Sequence, residues 1–419
     1  PAYLSYTPGS AGDRRQITMS YWQKRGNIGG QQVAFQSGST YWQFGNSNEE
    51  FNLLSDGSGN IKSTRIFRDI SAWYHFVISF DTEQDVPSNR IRVWVNGIPI
   101  TDWSTLTAPT KDTDLSITNT VAQVWGVYGT STYPMDGYLS QVCMIDGLAL
   151  GPTSFGEFSN NVWRPIDITG LTFGTTGYLL DFADSSALGN DVSGNDNDFS
   201  TSGLDSGDQF SDTPTKNYCT LNPLFPTGAV TSDGNLSVAL TGSSTYDTTG
   251  GSMSIPSTGK WYFEVTCTTL NSVNSNLIGI AEGGTILTNT GGISTNTKRR
   301  SYRSNDGNLN SDLNTSVAYG DAYASGEVIG VAVDMDNGAM YFRNEGVWQN
   351  SGDPTSGASK TGAAYTDLIT AGWTWTPFIH NDGSSENIFA LNCGQFAYED
   401  TAPSGYSDLN TANLPEPTI

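Results

Sequence analysis

The chain has 419 residues, more than one hydrophobic core usually covers, so its length predicts two domains. Aromatic residues make up 11% of it and charged residues only 15%, and glycine is abundant, a mixture typical of short strands joined by tight turns. The net charge of −23 argues against nucleic-acid binding, which needs a positive surface, and an anionic membrane would repel the chain. No apolar run is long enough to cross a bilayer, so we expect no membrane insertion.

The four cysteines, Cys143, Cys219, Cys267 and Cys393, lie far apart in the sequence. This spacing excludes a CxxC metal or redox site, and four thiols in a chain of this length do not make a disulfide framework. We expect buried free thiols, as in a protein made in a reducing cytoplasm.

Strand patterns dominate the first 160 residues. Residues 73–81 have the sequence WYHFVISFD, in which alternate side chains share a face, so His75 lies on one face and Phe76 on the other. The run RIRVWVNGIPI (90–100) contains Asn96-Gly97, a pair typical of a tight hairpin turn.

The composition changes after about residue 160, and a second strand-rich region begins near residue 236. Residues 181–212 are small, polar and acidic, as in a solvated loop or linker. Further on, residues 260–270 form a clear strand pattern, and residues 327–348 hold two alternating runs around Asp336-Asn337-Gly338. With no short-period repeat present, the sequence predicts an all-β chain of two β-sandwich domains in series.

The first region resembles the laminin-G, or concanavalin-like, jelly-roll family. The resemblance is carried by SAWYHFVISFD (71–81), NRIRVWVNGIPI (89–100) and MDGYLSQVCMIDGLAL (135–150), and it covers about residues 1–165. DVSGNDNDF (191–199) also resembles a family segment, one that usually lies near the start of the domain. We therefore expect a concanavalin-like domain at residues 1–204.

The second region resembles the SPRY domain, in four elements that occur in the family's order. These are GKWYFEV (259–265), the hairpin of residues 327–348, WTPFIH (375–380) and ALNCGQFAYEDTAPSGYSDL (390–409). We expect a connector at residues 205–225 and a SPRY-like jelly-roll sandwich at residues 226–419.

The order of the two domains, and the DTPTKNYCTLNPL phrase between them (212–224), resemble virion proteins of tailed phages from marine bacteria. The resemblance implies a non-enzymatic structural or adhesive component, a fibre, tail or capsid-surface protein assembled in the host cytoplasm. Its partners would be other virion subunits, further copies of itself, and a glycan or protein of the host surface. One alternative is a capsid-decoration or tail-assembly protein that mainly binds neighbouring subunits, and another is a carbohydrate-active enzyme.

Catalytic patterns are weak in this sequence. His75 lies among aromatic residues in a strand and has no GxSxG nucleophile to serve, so we expect it to be a packing residue. A glycosidase needs two facing carboxylates, but Glu264 is isolated and Asp334 and Asp336 flank a turn. We therefore expect the protein not to be an enzyme.

Calcium is the cofactor that the sequence favours, because hard cations bind several carboxylate and amide oxygens. The laminin-G resemblance implies a calcium site at the sandwich rim, to which Asp136 could also contribute. A solvated acidic loop remains the alternative. The candidate ligands share one acidic segment, with Asp198 beside them: Asp181, Asp184, Asp191, Asn195 and Asp196.

The only basic cluster of this acidic chain occurs at residues 298–303. The SPRY resemblance places it in a loop between strands, where it could bind an anionic sugar, a peptide or an acidic subunit. A solvated loop that balances local charge is the alternative. The candidate ligand-binding residues are Lys298, Arg299, Arg300, Tyr302 and Arg303, together with His380, which we expect at a strand end.

Overall fold

The structure is a computed structural model that describes residues 1–45, 48–225, 229–241, 247–271, 276–283, 298–312, 316–381 and 385–415. It divides into two compact units, Pro1–Thr215 and Lys216–Ile419, called here the N-terminal and the C-terminal unit. Among the described residues, no helix is long and apolar enough to cross a membrane.

The strands of the N-terminal unit are short, as its glycine-rich and aromatic composition predicts. Their bounds are β1 (Tyr3–Tyr6), β2 (Gln16–Arg25), β3 (Gln32–Ser37), β4 (Thr40–Phe44), β5 (Glu50–Ser55), β6 (Gly59–Ile66), β7 (Trp73–Asp81), β8 (Ile91–Val95), β9 (Ile98–Pro99), β10 (Trp103–Thr107), β11 (Gln123–Trp125), β12 (Gly137–Asp146), β13 (Gly156–Ser159), β14 (Val162–Pro165), β15 (Tyr178–Leu180) and β16 (Ser200–Ser202). Single 3-10 turns occur at Pro87–Asn89, Pro152–Ser154 and Ser206–Asp208.

These strands build two antiparallel sheets and a separate hairpin. The larger sheet has the order β10-β6-β5-β4-β3-β11-β1-β16, the smaller has the order β15-β12-β2-β7-β8-β9, and β13 pairs with β14. One core takes side chains from both sheets, among them Trp42 and Trp125 from the larger and Phe76 and Met144 from the smaller. The predicted sandwich is therefore confirmed for this unit.

Strand β7 shows how alternation sets the two faces. Phe76 and Ile78 enter the core between the sheets, as the pattern of residues 73–81 predicts. The opposite face is also buried, because Val77 packs in a second cluster with Phe155 and Phe173. The predicted hairpin turn is present too: Asn96 and Gly97 have φ angles of 50° and 76° between β8 and β9.

The C-terminal unit repeats the two-sheet arrangement with different connections. Its strands are β17 (Ala229–Ser232), β18 (Ser237–Leu240), β19 (Asp247–Gly250), β20 (Lys260–Leu270), β21 (Asn276–Glu282), β22 (Arg299–Arg303), β23 (Asn308–Ser311), β24 (Ser316–Ala318), β25 (Val328–Asp334), β26 (Ala339–Asn344), β27 (Val347–Trp348), β28 (Trp375–Asn381), β29 (Asn387–Asn392) and β30 (Ser407–Asp408). Single 3-10 turns occur at Asp233–Asn235, Gln349–Ser351 and Gly357–Ser359.

One sheet of this unit runs β17-β18-β29-β20-β25-β26-β27, with β30 parallel to β20, and the other runs β19-β28-β21-β22-β23-β24. Their facing side chains form a second core that includes Trp375 and Phe389. The turn at Asp336-Asn337-Gly338 joins β25 to β26 as predicted, and Asp334 accepts hydrogen bonds from both nitrogens of Asn337. All four cysteines are free and buried, as expected.

The expected connector, residues 205–225, is not a separate segment. The division between the units falls after Thr215, so the connector's first half belongs to the N-terminal unit. Its second half enters the C-terminal core, where Tyr218, Cys219 and Leu221 are buried. Apolar side chains at these three positions explain the difference, since they gain more by burial than a solvated linker would allow.

Glu264 has partners in the folded chain. Its carboxylate is buried, and the Oε1 atom lies 3.7 Å from the Nη2 atom of Arg343. It accepts a hydrogen bond from the hydroxyl of Tyr262 and from the main-chain N–H groups of Glu399 and Asp400. Arg343 in turn donates to the carbonyl of Thr401 and to Tyr262. The carboxylate that resembles a lone acid in the sequence therefore holds the C-terminal segment across β20 and β26.

Replacing Arg343 tests this role. Arg343→Met leaves the Glu264 carboxylate buried without its cation, so we expect the free energy of unfolding of the C-terminal unit to fall by about 3 kcal/mol. Urea unfolding followed by amide exchange in β20 measures it. Lys360→Met, which removes a surface bond to one main-chain carbonyl, is the control and should leave the unfolding curve unchanged. Equal curves for the two variants would contradict the assignment.

Candidate functional site

The basic cluster lies in a strand, not in the loop that the sequence predicts. Residues 299–303 form β22, which pairs with β21 on one side and β23 on the other. Arg299, Arg300 and Tyr302 are buried, and Tyr302 stacks on Phe342 while its hydroxyl donates to the carbonyl of Asp321. The prediction of a loop was wrong because the cations have partners inside the unit, so a strand position costs them little.

Those partners surround Arg300. Its guanidinium forms ion pairs with Asp312 and, at 2.5 Å, with Asp367. It also lies 5.1 Å from the ring centre of Trp373, and Lys298 lies 5.1 Å from the same ring. Arg303 forms an ion pair with Asp306. The cluster therefore holds strand β22 to its neighbours, and its use as a ligand site stays a prediction.

Both histidines of the chain are buried. His380 is in β28, where its Nδ1 lies 2.9 Å from the hydroxyl of Thr248, so it is not at an accessible strand end. His75 stacks on Trp22, accepts a hydrogen bond at Nδ1 from the indole N–H of Trp163, and bonds through Nε2 to Ser20. Since Nδ1 accepts, the ring proton is on Nε2, and the imidazole acts as packing between β2, β7 and β14.

The acidic segment is organised by its own main chain. Asp191 is buried and its two carboxylate oxygens accept hydrogen bonds from the N–H groups of Leu179, Ser193 and Asn197. Asp198 accepts from the N–H of Asp191, and the side-chain amide of Asn195 donates to the carbonyls of Gly174 and Gly177. The structure thus brings Asp191, Asn195 and Asp198 into one bonded loop.

The remaining calcium candidates lie outside that bonded core. Asp181 accepts from the N–H of Ala183, and the hydroxyl and N–H of Ser186 bond to Asp184, which holds the pKa of the Asp184 carboxyl below its usual value. Asp196 is exposed. Across the described ranges, no group of three or more His, Cys, Asp or Glu side chains is placed to hold a metal ion. Calcium binding, which would also use amide and main-chain oxygens, stays a prediction.

Beside this loop is a pocket of about 700 Å³ that the sequence did not predict. Its lining comes from residues 185–190, 198–201 and 204–206. The first two stretches meet because the N–H of Phe199 donates to the carbonyl of Gly189 at 2.8 Å. Only glycine permits this approach, since a Cβ at position 189 would lie 1.8 Å from the main-chain oxygen of Phe199.

The lining has the composition of a polar-ligand site. Leu188, Phe199 and Leu204 give it apolar surface, while hydroxyl, amide and carboxylate groups give it hydrogen-bonding capacity. The two carboxylates are those of Asp198 and Asp205, and none of the described residues that line the pocket is Lys, Arg or His. Such a pocket suits a neutral ligand rich in hydroxyls better than an anion.

A group of tyrosines forms a second feature that the sequence analysis missed. Tyr41 of β4 points away from the core and lies 5.2 Å, ring to ring, from the exposed Tyr128. Tyr133, also exposed, contributes with Tyr128 to raising the pKa of Tyr41, for which burial is the larger cause. Alternation could have placed Tyr41 outside, since Trp42 beside it is in the core, but Tyr128 and Tyr133 come from a turn without periodicity.

Comparisons with family models agree with this fold. The model of the concanavalin A-like lectin/glucanases superfamily matches residues 2–150, and the SPRY domain model matches residues 260–365. The chain carries a concanavalin-like domain followed by a SPRY domain. A comparison with curated proteins found no match.

Solved structures resemble parts of the chain. The SPRY domain of human HERC1 has 15% identity and a TM-score of 0.31, covering 40% of this chain and 94% of that one. A putative carbohydrate binding protein from Bacteroides ovatus has 13% identity and a TM-score of 0.34, covering 48% of this chain and only 56% of that one. A heptameric SAP-like pentraxin from Limulus polyphemus has 16% identity and a TM-score of 0.27, covering 36% and 71%.

The burial of His75 predicts a dependence of stability on pH. Burial lowers the pKa of His75 from 6.5 to about 3. At a pH between these two values, the imidazole is therefore protonated in the unfolded chain but not in the folded chain. This contribution to stability is complete above about pH 6.5 and is lost as the pH falls, by up to about 1.4 kcal/mol per pH unit. His75→Gln, which keeps a partner for Trp163, should flatten the profile between pH 6.5 and 4.5.

Urea unfolding at each pH, followed by amide exchange of the β7 residues, measures this dependence. The unchanged His380 in the C-terminal unit serves as an internal reference, because burial also lowers its pKa to about 3. A β7 profile that is equally steep with glutamine at position 75 would refute the assignment.

Proposed function

We propose that the N-terminal unit binds a neutral saccharide in the pocket formed by residues 185–190, 198–201 and 204–206, and that it does so without catalysis. The observation that carries the proposal is the pocket itself, which has a volume of about 700 Å³ and is lined by apolar side chains, several hydroxyl groups and two carboxylates. Ligand pockets generally have this size and this mixture of apolar surface with a few placed polar groups.

The charge of the lining supports a neutral ligand. Asp198 and Asp205 would repel an anionic sugar, and the chain as a whole carries a net charge of −23. Both carboxylates are already fixed, Asp198 by the N–H of Asp191 and Asp205 by the N–H of Gly207. Carboxylates held in this way keep lone pairs for sugar hydroxyls.

The setting that we propose is the surface of a bacteriophage virion, where the protein is a structural or adhesive subunit in contact with other virion subunits and with further copies of itself. The support is the resemblance of the domain order to virion proteins. Many copies on one particle would convert weak single contacts into firm attachment through a high effective concentration. The C-terminal SPRY unit would add a second recognition surface.

An assembly role is the rival within the same setting. A cryo-electron microscopy map of the particle distinguishes the two roles, because a pocket of residues 185–206 that faces outward supports adhesion. The same pocket covered by a neighbouring subunit supports assembly.

Catalysis is a second candidate function, favoured by one observation: two carboxylates, Asp198 and Asp205, line the same pocket, and glycosidases use two. Incubation with host polysaccharide distinguishes catalysis from binding alone. New reducing ends, lost in Asp198→Asn, would establish an enzyme, whereas binding without new ends supports recognition alone.

Calcium at the neighbouring acidic segment is part of the proposal, supported by the exposed carboxylates of Asp181, Asp184 and Asp196. A cation bound only by the folded state raises the melting temperature. We expect millimolar calcium to raise the melting temperature of the N-terminal unit. The double variant Asp181→Asn with Asp196→Asn should abolish this rise. Identical melting curves in calcium and in EDTA would contradict calcium binding.

The binding proposal predicts a specific loss. Ala187→Trp fills the pocket from its wall, so we expect affinity for the best neutral oligosaccharide on a glycan array to fall at least about tenfold. Ala183→Trp is the matched control, since Ala183 is exposed on the same segment but does not line the pocket. Calorimetric titration measures both variants. Equal affinities in the two, or no neutral glycan bound by the native chain, would overturn the proposal.

A further inference from the structure

One wall of the pocket belongs to a segment that a buried ion pair fixes at its other end. The wall is formed by Leu204, Asp205 and Ser206, and the chain continues from there to Asp212. This segment follows the last strand of the N-terminal unit, β16, and so has no sheet partner of its own beyond Ser202 among the described strands. Its position therefore depends on side-chain contacts with the body of the unit.

The buried ion pair is formed by Lys24 of β2 and Asp212. The ammonium group lies 2.9 Å from one carboxylate oxygen, and the side chains are 1% and 2% exposed. The indole N–H of Trp73, in β7, donates to the other carboxylate oxygen at 2.8 Å. A charge buried this deeply is stable only while its partner is in place, so the two residues hold each other firmly.

Between the wall and Asp212 the chain is compact. Asp205 and Asp208 cap the single turn Ser206–Asp208 reciprocally: the N–H of Gly207 donates to Asp205, and the N–H of Asp205 donates to Asp208. A turn closed by reciprocal hydrogen bonds has less conformational freedom than an uncapped loop, so we expect a displacement at Asp212 to reach the pocket wall.

Weaker contacts also join this turn to the body of the unit, among them the following two. The side chain of Gln209 donates to the carbonyl of Phe182 at 2.6 Å, close to the opposite pocket wall that begins at Ser185. Phe210 packs edge-on against Tyr138, with ring centres 5.2 Å apart. A neutral hydrogen bond or a ring contact each fixes a segment less firmly than a buried charged pair with a third donor.

We propose that Lys24 and Asp212 are positioning residues of the pocket: their ion pair fixes segment 204–212 and thereby sets the distance between the pocket's two walls. This inference rests on the proposed saccharide-binding function for its consequence, but the positioning itself is independent of any ligand. Neither residue lines the pocket, so the pair would act on the pocket only through segment 204–212. This role is separate from any contribution of the pair to stability.

The test uses the full chain with two double variants. Lys24→Met with Asp212→Leu removes both charges together, so no uncompensated charge is left and folding is retained. Lys111→Met with Asp85→Leu is the matched control, since that pair is an exposed ion pair of the same unit at 2.6 Å. Melting curves establish that both variants are folded before any comparison.

Hydrogen exchange without ligand is the first readout, because the N–H groups of Asp205, Gly207 and Asp208 are all hydrogen-bonded and have protection to lose. We expect exchange in residues 204–211 to accelerate at least about tenfold in the Lys24/Asp212 variant and not in the control, with β2 and β7 unchanged in both. Unchanged protection of residues 204–211 in the folded variant would overturn the inference.

Affinity for the best neutral glycan of the array is the second readout. We expect the Lys24/Asp212 variant to lose at least about fivefold in affinity while the control retains it. Accelerated exchange with unchanged affinity would refute the link between the pair and the pocket. If no glycan binds the native chain, the proposed function fails, and the exchange result still decides whether the pair positions the wall.

Discussion

The N-terminal unit depends on the antiparallel pairing of β2 with β7, in a register that runs from Gln16 opposite Asp81 to Lys24 opposite Trp73. A slip of one residue would turn the apolar face of one strand away from the core, so that either Tyr21 or Phe76 would leave it. The same register places Ser20, Trp22 and Lys24 on the opposite face. Later parts of the chain bind to that face, so their positions follow from the same pairing.

Two such attachments show the consequence. Trp163 of β14 donates to His75, which also bonds to Ser20, so the β13–β14 hairpin is fixed to the centre of the smaller sheet. Asp212 reaches Lys24 and Trp73 at the end of the same strand pair. Lys24 and His75 on this face are therefore paired with residues far along the chain, and this pairing offsets part of the cost of burying them.

Alternation of apolar and polar residues predicted strands and their buried faces. In residues 73–81 the sequence placed Phe76 and Ile78 on one face, and both are in the core. It could not predict Arg300, because the groups that allow its burial, Asp367 and Trp373, are far away in sequence and appear beside it only in the folded chain. Four basic residues within six positions indicate solvent exposure only when such partners are absent.

The pocket was missed for a related reason. Its shape depends on the close approach of Gly189 to Phe199 and on the fixed turn after Asp205, and neither has a periodic signal in the sequence. The acidic composition of residues 181–212 drew attention to calcium, since carboxylates are its usual ligands. Within the described part of this segment, however, several of those carboxylates already accept hydrogen bonds from main-chain N–H groups, as Asp191 does from Leu179 and Asn197.

These internal bonds also bear on how the pocket could bind. A loop of small polar residues would normally lose much conformational freedom when a ligand orders it, and that loss would weaken the binding. Here Asp191 fixes one stretch and the capped turn Ser206–Asp208 fixes another before any ligand arrives. One lining hydroxyl is held as well, since that of Ser186 donates to the carboxylate of Asp184. A weak, hydroxyl-rich ligand benefits most from such a prearranged surface, because its individual hydrogen bonds contribute little net free energy in water.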